Sequence, residues 1–429
     1  MKTVNDYFGL SDNEKIEAAI REREGGIVIL PPRKAEDGRD WWLLDRAILL
    51  PENTTFIIEN AKIKLSDNCR DNFFRTANSG LGIAEVEPIR NVHIKGVGLC
   101  ILEGADHPRS TGDGSKILAC PCPKKPEDIC AMEDPWVPEE RRSPEKLTFW
   151  DQHDHSYGTD AGKEGESQYG DWRDIGILFA NASYSSVENL RMVNFHGWGI
   201  SWEACSFGEI RNIDFDACMA MEIDGMLHNT ENQDGIDLRN GCHDILISDI
   251  TGGTGDDLIA LTAIAGYEVR PGGSLQTTHV MPCDWTKREK DIHDIIIRNV
   301  KGYSKGRICN HIRLLPAGCS IYNVVIDGVV DTSPADFYQA GCVILLGDSG
   351  FYGENLTDGM RYITISNVIC KSNQAVIVGG YLKDSVISNV VNRNPDCPVI
   401  RVERKDGMVN VKTSNLVSVG KETILYCYQ

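Results

Sequence analysis

The chain of 429 residues is 41% hydrophobic and 25% charged, which excludes a disordered or fibrous protein and allows one large domain. Its 44 Lys and Arg against 63 Asp and Glu leave a net charge of -19, and a surface this acidic argues against nucleic-acid and membrane-surface binding. The 15 cysteines fall far below the density of a disulfide scaffold, and the N-terminus has no apolar signal core, so a soluble, cytoplasmic protein with reduced, buried thiols such as Cys309, Cys342 and Cys370 is expected.

Taken in chain order, Ser11 or Asp12 N-caps a helix over Asn13–Arg23 that Gly25 and Gly26 stop. GGIVILPP follows as a short buried strand, and FIIENAKIKLS and IRNVHIKGVG read as further strands. The first hundred residues thus form the cap and opening coils of a solenoid, whose open end needs such cover. The segment 104–173 carries Pro, Asp, Glu, Gly, Trp and His without periodicity and reads as a long irregular insertion walling a cleft. Its Trp136, Trp150, His153, His155, Tyr157 and Trp172 either offer faces on which sugar rings stack or simply pack the insertion down. Cys120, Cys122 and Cys130, like His153 and His155, have the types of metal ligands but not the paired spacing of a zinc module, so no metal is assigned.

From about position 184 one phrase recurs: VENLRMVNF, CHDILISDI, IHDIIIRNV, IYNVVIDGV, MRYITISNV, LKDSVISNV and VNVKTSNLV. Aligning its small polar position gives Asn194, Asp249, Asn299, Gly328, Asn367, Asn389 and Asn415, the last three separated by 22 and 26 residues. Period-2 alternation rich in Ile and Val marks strands, and a repeat this short means coils that stack on their neighbours. The expected fold is all-β, a right-handed single-stranded parallel β-helix forming a single domain over 1–429. Leucine-rich repeats and propellers fit the spacing less well. A second excursion, 265–291, interrupts the coils.

Neighbouring coils align Asn232-Gln233-Asp234-Gly235-Ile236-Asp237-Leu238 with Gly255-Asp256-Asp257-Leu258-Ile259-Ala260-Leu261 and then with Cys309-Asn310-His311-Ile312-Arg313-Leu314-Leu315. The column reads Asp234, Asp257, His311, with Asp256 turned outward at the strand's entry. Stacked strands lie about 4.8 Å apart, so these side chains converge. Carboxylates on one face are costly unless they are solvated, bind a cation or share protons, and a raised pKa on one of them is what glycosidic hydrolysis requires.

NQDGID followed by GDD resembles the NTDGID and QDD motifs of the polygalacturonase-like glycoside hydrolases of family 28, pectin lyase-like β-helix proteins, and HGWGISW at 196–202 looks like the strand before that family's active site. The resemblance implies Asp256 as general acid, Asp234 and Asp257 as the pair that deprotonates water in an inverting hydrolysis, and His311 as the survivor of a GHG motif. An inverting geometry places acid and base carboxyls roughly 6.5–9.5 Å apart. The resemblance further implies substrate contacts from Asn232, Asp237, His196 and Trp198, and no cofactor or metal. The family's RIK motif falls at Cys342-Val343-Ile344, which has neither charge, so a substrate carboxylate would need Arg313 or Arg307. Arg313 is the better candidate, because two residues from His311 on one strand it shares its face.

The expected function is glycoside hydrolysis of short oligosaccharides, pectin-type or related, released from one end of a cleft that 104–173 closes. Two alternatives stand beside it. A lyase or epimerase would use the Asp cluster as a Ca²⁺ cage, and a non-catalytic glycan-binding β-helix would not need Asp256. The expected partner is the oligosaccharide alone, with neither nucleic acid nor membrane, and the oligomeric state is open.

Overall fold

The computed structural model describes the chain outside residues 1–2, 24–25, 35–36, 68, 70, 81–82, 84–85, 107–171, 173–174, 219, 224–225, 230–232, 266–279, 282–288, 307–308, 335–340, 348–352, 372–373, 421 and 428–429. The aromatic, histidine and cysteine residues named above in 104–173 therefore lie outside the described residues, except Trp172. So do Asn232 and Arg307, and the role of 104–173 as a cleft wall falls there too. Among the described residues no helix is long and apolar enough to cross a membrane.

The chain is a right-handed parallel β-helix with an N-terminal helix. One sheet stacks Ile177–Ala180, Ile200–Glu203, Ile236–Arg239, Ile259–Ile264, Ile312–Ala317 and Cys342–Leu346 in that order, all parallel. The other stacks long strands such as His243–Thr254, Ile292–Ser304 and Ile321–Asp331. Each long strand alternates inward and outward, so Ile247, Ile297, Ile326 and Ile365 form one interior column of fully buried side chains. Truncating such a residue to Ala costs about 2–5 kcal/mol, because a stacked column cannot collapse around the gap.

The long strands turn a corner at a residue in the left-handed region. Asn189, Asn212, Asp249, Asn299, Gly328, Asn367, Asn389 and Asn415 take φ of 59, 52, 59, 55, 75, 57, 54 and 52° in register. Asn and Gly tolerate this conformation best, which is why they recur. The sequence alignment is corrected at its first member: Asn189, not Asn194, stands at the equivalent corner, because Leu190 pairs with Ile213. The amides also bind one another across coils, Asn212 Nδ2 donating to Asn189 Oδ1 at 2.9 Å and Asn415 Nδ2 to Asn389 Oδ1 at 2.8 Å.

The N-terminal helix spans Asp12–Arg23. Ser11 caps it, its Oγ accepting from Glu14 N–H at 3.3 Å while Glu14 Oε2 accepts from Ser11 N–H at 2.8 Å. Ile16, Ala19 and Ile20 bury one face against the first coils. The strand after it, Gly26–Leu30, is an edge strand and not the buried one expected: Ile27 and Ile29 face outward, exposed by 56% and 36%.

Candidate active site

The acidic residues sit where the chain rounds a corner into the first sheet. The pairs Ile236↔Ile259 and Ile259↔Ile312 fix the register. Backbone bonds carry it back around the corner, Gly235 N–H donating to Asp257 O at 2.9 Å and Leu258 N–H to Asn310 O at 3.2 Å. Gly235 is required here, since a Cβ would lie 2.4 Å from Leu258 O. The outward column therefore reads Trp198, Asp234, Asp257, Asn310, one residue off the expected third member.

His311 belongs to the interior column of Gly235, Leu258 and Val343, and it is fully buried. The strand begins only at Ile312, so the corner breaks the alternation that would have put His311 and Arg313 on one face. His311 faces Asp331 instead, Nε2 lying 3.6 Å from Oδ1, and burial pushes its pKa down to about 4. It is not a member of the acidic cluster.

One oxygen from each of Asp234, Asp256 and Asp257 lies within 4.8 Å of the other two. This is below the roughly 6.5–9.5 Å of an inverting pair, so carboxyl spacing gives no support to inversion. The same three oxygens are the set among the described residues that could converge on a cation. Asp256 Oδ1 accepts from Asp257 N–H at 2.8 Å. Asp257 Oδ1 accepts from Asn310 N–H at 2.6 Å and from Asn310 Nδ2 at 3.1 Å, and Asp257 Oδ2 lies 3.5 Å from Arg313 Nη1.

Asp234 and Asp257 are buried, and burial raises the pKa of both. For Asp234 the charges of Asp256, Asp237 and Asp257 add to burial, and its pKa stands well above the carboxylate range. For Asp257, Arg313 and the Asn310 bonds oppose burial and hold it at about 6. Asp237 is buried beside them and is also raised by burial, while Arg239 pulls the other way. Cys309, half-buried at this corner, has its thiol pushed up by burial and by Asp256 and Asp257.

Arg313 points outward on its strand, its side chain 21% exposed, in register with Ala260 and Asp237. Trp198 stands one coil before Asp234, its ring 4.4 Å from the Arg239 guanidinium. Trp172 is buried and takes the packing role: Arg75 lies 4.9 Å from its ring, and Asn72 Nδ2 donates to its carbonyl at 2.7 Å. With Val86, Val280 and Met281 it covers Leu178 and Ala180 on the outer face of the first sheet. His196 is buried, its Nε2 accepting from Ala105 N–H at 2.8 Å, and burial lowers its pKa to about 4. Sequence reasoning missed Asn310 and Cys309. The triplets Ile236-Asp237-Leu238, Ile259-Ala260-Leu261 and Ile312-Arg313-Leu314 carried the true register and would have found both.

No family model and no curated relative matches the chain. Among solved structures it is similar to a surface adhesin of Streptococcus pneumoniae, at 11% identity and TM-score 0.53, covering 100% of this chain and 89% of that one. It is similar also to the A-module of a mannuronan C-5 epimerase from Azotobacter vinelandii, at 13% identity and TM-score 0.51, covering 100% and 97%. An exopolygalacturonase from Thermotoga maritima aligns at 16% identity and TM-score 0.48, covering 96% and 91%. The likeness is one of fold.

Proposed function

We propose that the protein hydrolyses a glycosidic bond of a short oligosaccharide at the Asp234, Asp256, Asp257 cluster. The observation that carries this reading is the division of environments between two adjacent buried carboxyls. Asp234 faces the charges of three aspartates, opposed by Arg313, and keeps its proton, whereas Asp257 faces Asp256 and has both Arg313 and the two Asn310 bonds to favour its charge. Acid and base roles follow such a division. Asp234 is then the proton donor to the leaving oxygen, Asp257 the base that takes a proton from water, and Asp256 a charge that sustains the difference; these roles rest on the environments of the carboxyls and not on their spacing, which is shorter than that of a usual inverting pair. This departs from the resemblance, which gives the acid role to Asp256. Approach from one end is supported by the apolar cover over Leu178 and Ala180, two coils before Asp234.

The test is a panel of neutral and uronate oligosaccharides, with products followed by mass spectrometry. Saturated products shortened from one end support the reading. An acid variant retains activity on aryl glycosides with good leaving groups, so Asp234→Asn should keep that activity while Asp257→Asn should not. Unsaturated or epimerised products that vanish with a chelator would replace hydrolysis by lyase or epimerase chemistry at the same three carboxylates.

A further inference from the structure

Besides its carbonyl, which accepts from Leu258 N–H, Asn310 makes four polar contacts, all with the neighbouring coils. Its N–H and its Nδ2 donate to the same oxygen, Asp257 Oδ1, at 2.6 and 3.1 Å. Its own Oδ1 accepts from Cys342 N–H at 3.2 Å and from Cys342 Sγ at 3.3 Å. The backbone donor at Cys342 decides the amide's orientation: Oδ1 must face Cys342, so Nδ2 must face Asp257. Asn310 is buried, and its other neighbours in the chain are the thiol of Cys309 and the interior His311. Both Asn310 donors therefore fall on one oxygen of Asp257, and the other, Oδ2, is left toward Arg313.

We propose that Asn310 is the positioning residue of this site, fixing the Asp257 carboxyl through Oδ1 so that Oδ2 is the oxygen that receives the proton of the attacking water. The proposal deepens the hydrolase reading and rests on it for the identity of the reaction. A hydrogen bond given to the charged form of a buried carboxylate favours that form, and a second donor on the same oxygen also fixes the rotamer. Removing Nδ2 leaves the backbone donor in place, so the fold of the corner survives while Asp257 becomes harder to ionise. A residue that merely tied two coils together would change stability and leave the titration of Asp257 where it was.

The experiment compares wild type with Asn310→Ala and Asn310→Ser by ¹³C NMR titration of carboxyl-labelled aspartate, the Asp257 signal being assigned with Asp257→Asn. Activity is measured alongside on whichever oligosaccharide the panel finds. The expected result is a titration of Asp257 displaced to higher pH in both variants, a kcat lower by about 10–100-fold with KM little changed, and an acidic limb of the rate profile moved the same way. An unchanged titration, or a raised KM with kcat intact, overturns the proposal. If wild type hydrolyses nothing on the panel the functional reading fails separately, and the titration alone still decides whether Asn310 sets the state of Asp257. Thermal melting of both variants identifies which of them is folded, and either folded variant suffices.

Discussion

Arg313 Nη1 lies 3.5 Å from Asp257 Oδ2, a contact that crosses from one coil to the coil before it. Arg313 opposes the burial that raises Asp257, and its own side chain remains partly exposed. Arg313→Ala should therefore push Asp257 above about 6 and move the acidic limb of the pH–rate profile upward. A uronate substrate should lose more than a neutral one, on the order of 2–5 kcal/mol, because its charge would be left unpaired. Equal loss on both substrates would remove Arg313 from substrate binding and leave it acting on Asp257 alone.

The cluster weakens the fold above acid pH. Asp257 has a native pKa raised from 3.8 to about 6, so its contribution to stability is fully present below its unfolded value and is lost as pH rises through the native one. The loss is on the order of 2–3 kcal/mol by neutral pH, at 1.36 kcal/mol per unit. Asp257→Asn should raise the melting temperature at pH 7.5, leave it nearly unchanged at pH 4, and abolish activity. A lower melting temperature at pH 7.5 would contradict the electrostatic account.

His311 and His196 act in the opposite sense. Both are buried with pKa values lowered from 6.5 to about 4, so the unfolded chain takes up protons first as pH falls. Stability from each is present above 6.5 and is lost progressively down to about 4. His311→Leu, an apolar residue between Leu258 and Val343, should flatten this acid loss in urea titrations at pH 4.5 and 7. A variant as acid-sensitive as wild type would show that His311 is not the residue responsible.

At the corners, Asn389 carries φ of 54° and bonds to both neighbours, donating to Asn367 Oδ1 at 3.2 Å and accepting from Asn415 Nδ2 at 2.8 Å. Asn389→Ala should cost about 1–3 kcal/mol, from left-handed strain and two lost bonds, and Asn389→Gly clearly less. Chemical denaturation measures both, and equal losses would rule out a backbone origin.

The architecture was legible because alternation in phrases such as IHDIIIRNV records which side chains face inward, and the corner residues Asn367, Asn389 and Asn415 repeat with it. The three acids were legible for the same reason, lying in two consecutive coils whose equivalent residues, Asp234 and Asp257, are 23 apart. His311 was misplaced because the long step from Asp257 passes through an excursion, and a register error of one residue exchanges interior for exterior. Asn310 and Cys309 thereby passed for spacers. Roles within the cluster came from the resemblance alone, since which Asp257 oxygen Asn310 and Arg313 reach is not recorded in the sequence.

The corner amides also share a direction. Asn212, Asn299, Asn367, Asn389 and Asn415 each donate from Nδ2 to an oxygen on the preceding coil: Asn189, Asp249, Asp327, Asn367 and Asn389 respectively. Asn323 and Asn410 do the same at a second corner, toward Asp294 and Asp384. Backbone dipoles largely cancel within a sheet, but these side-chain dipoles add. Each of these coils thus offers acceptor oxygens to a coil that follows it. Chain emerging from a ribosome arrives in that order, so at these corners the accepting oxygens are made before the amides that bind them.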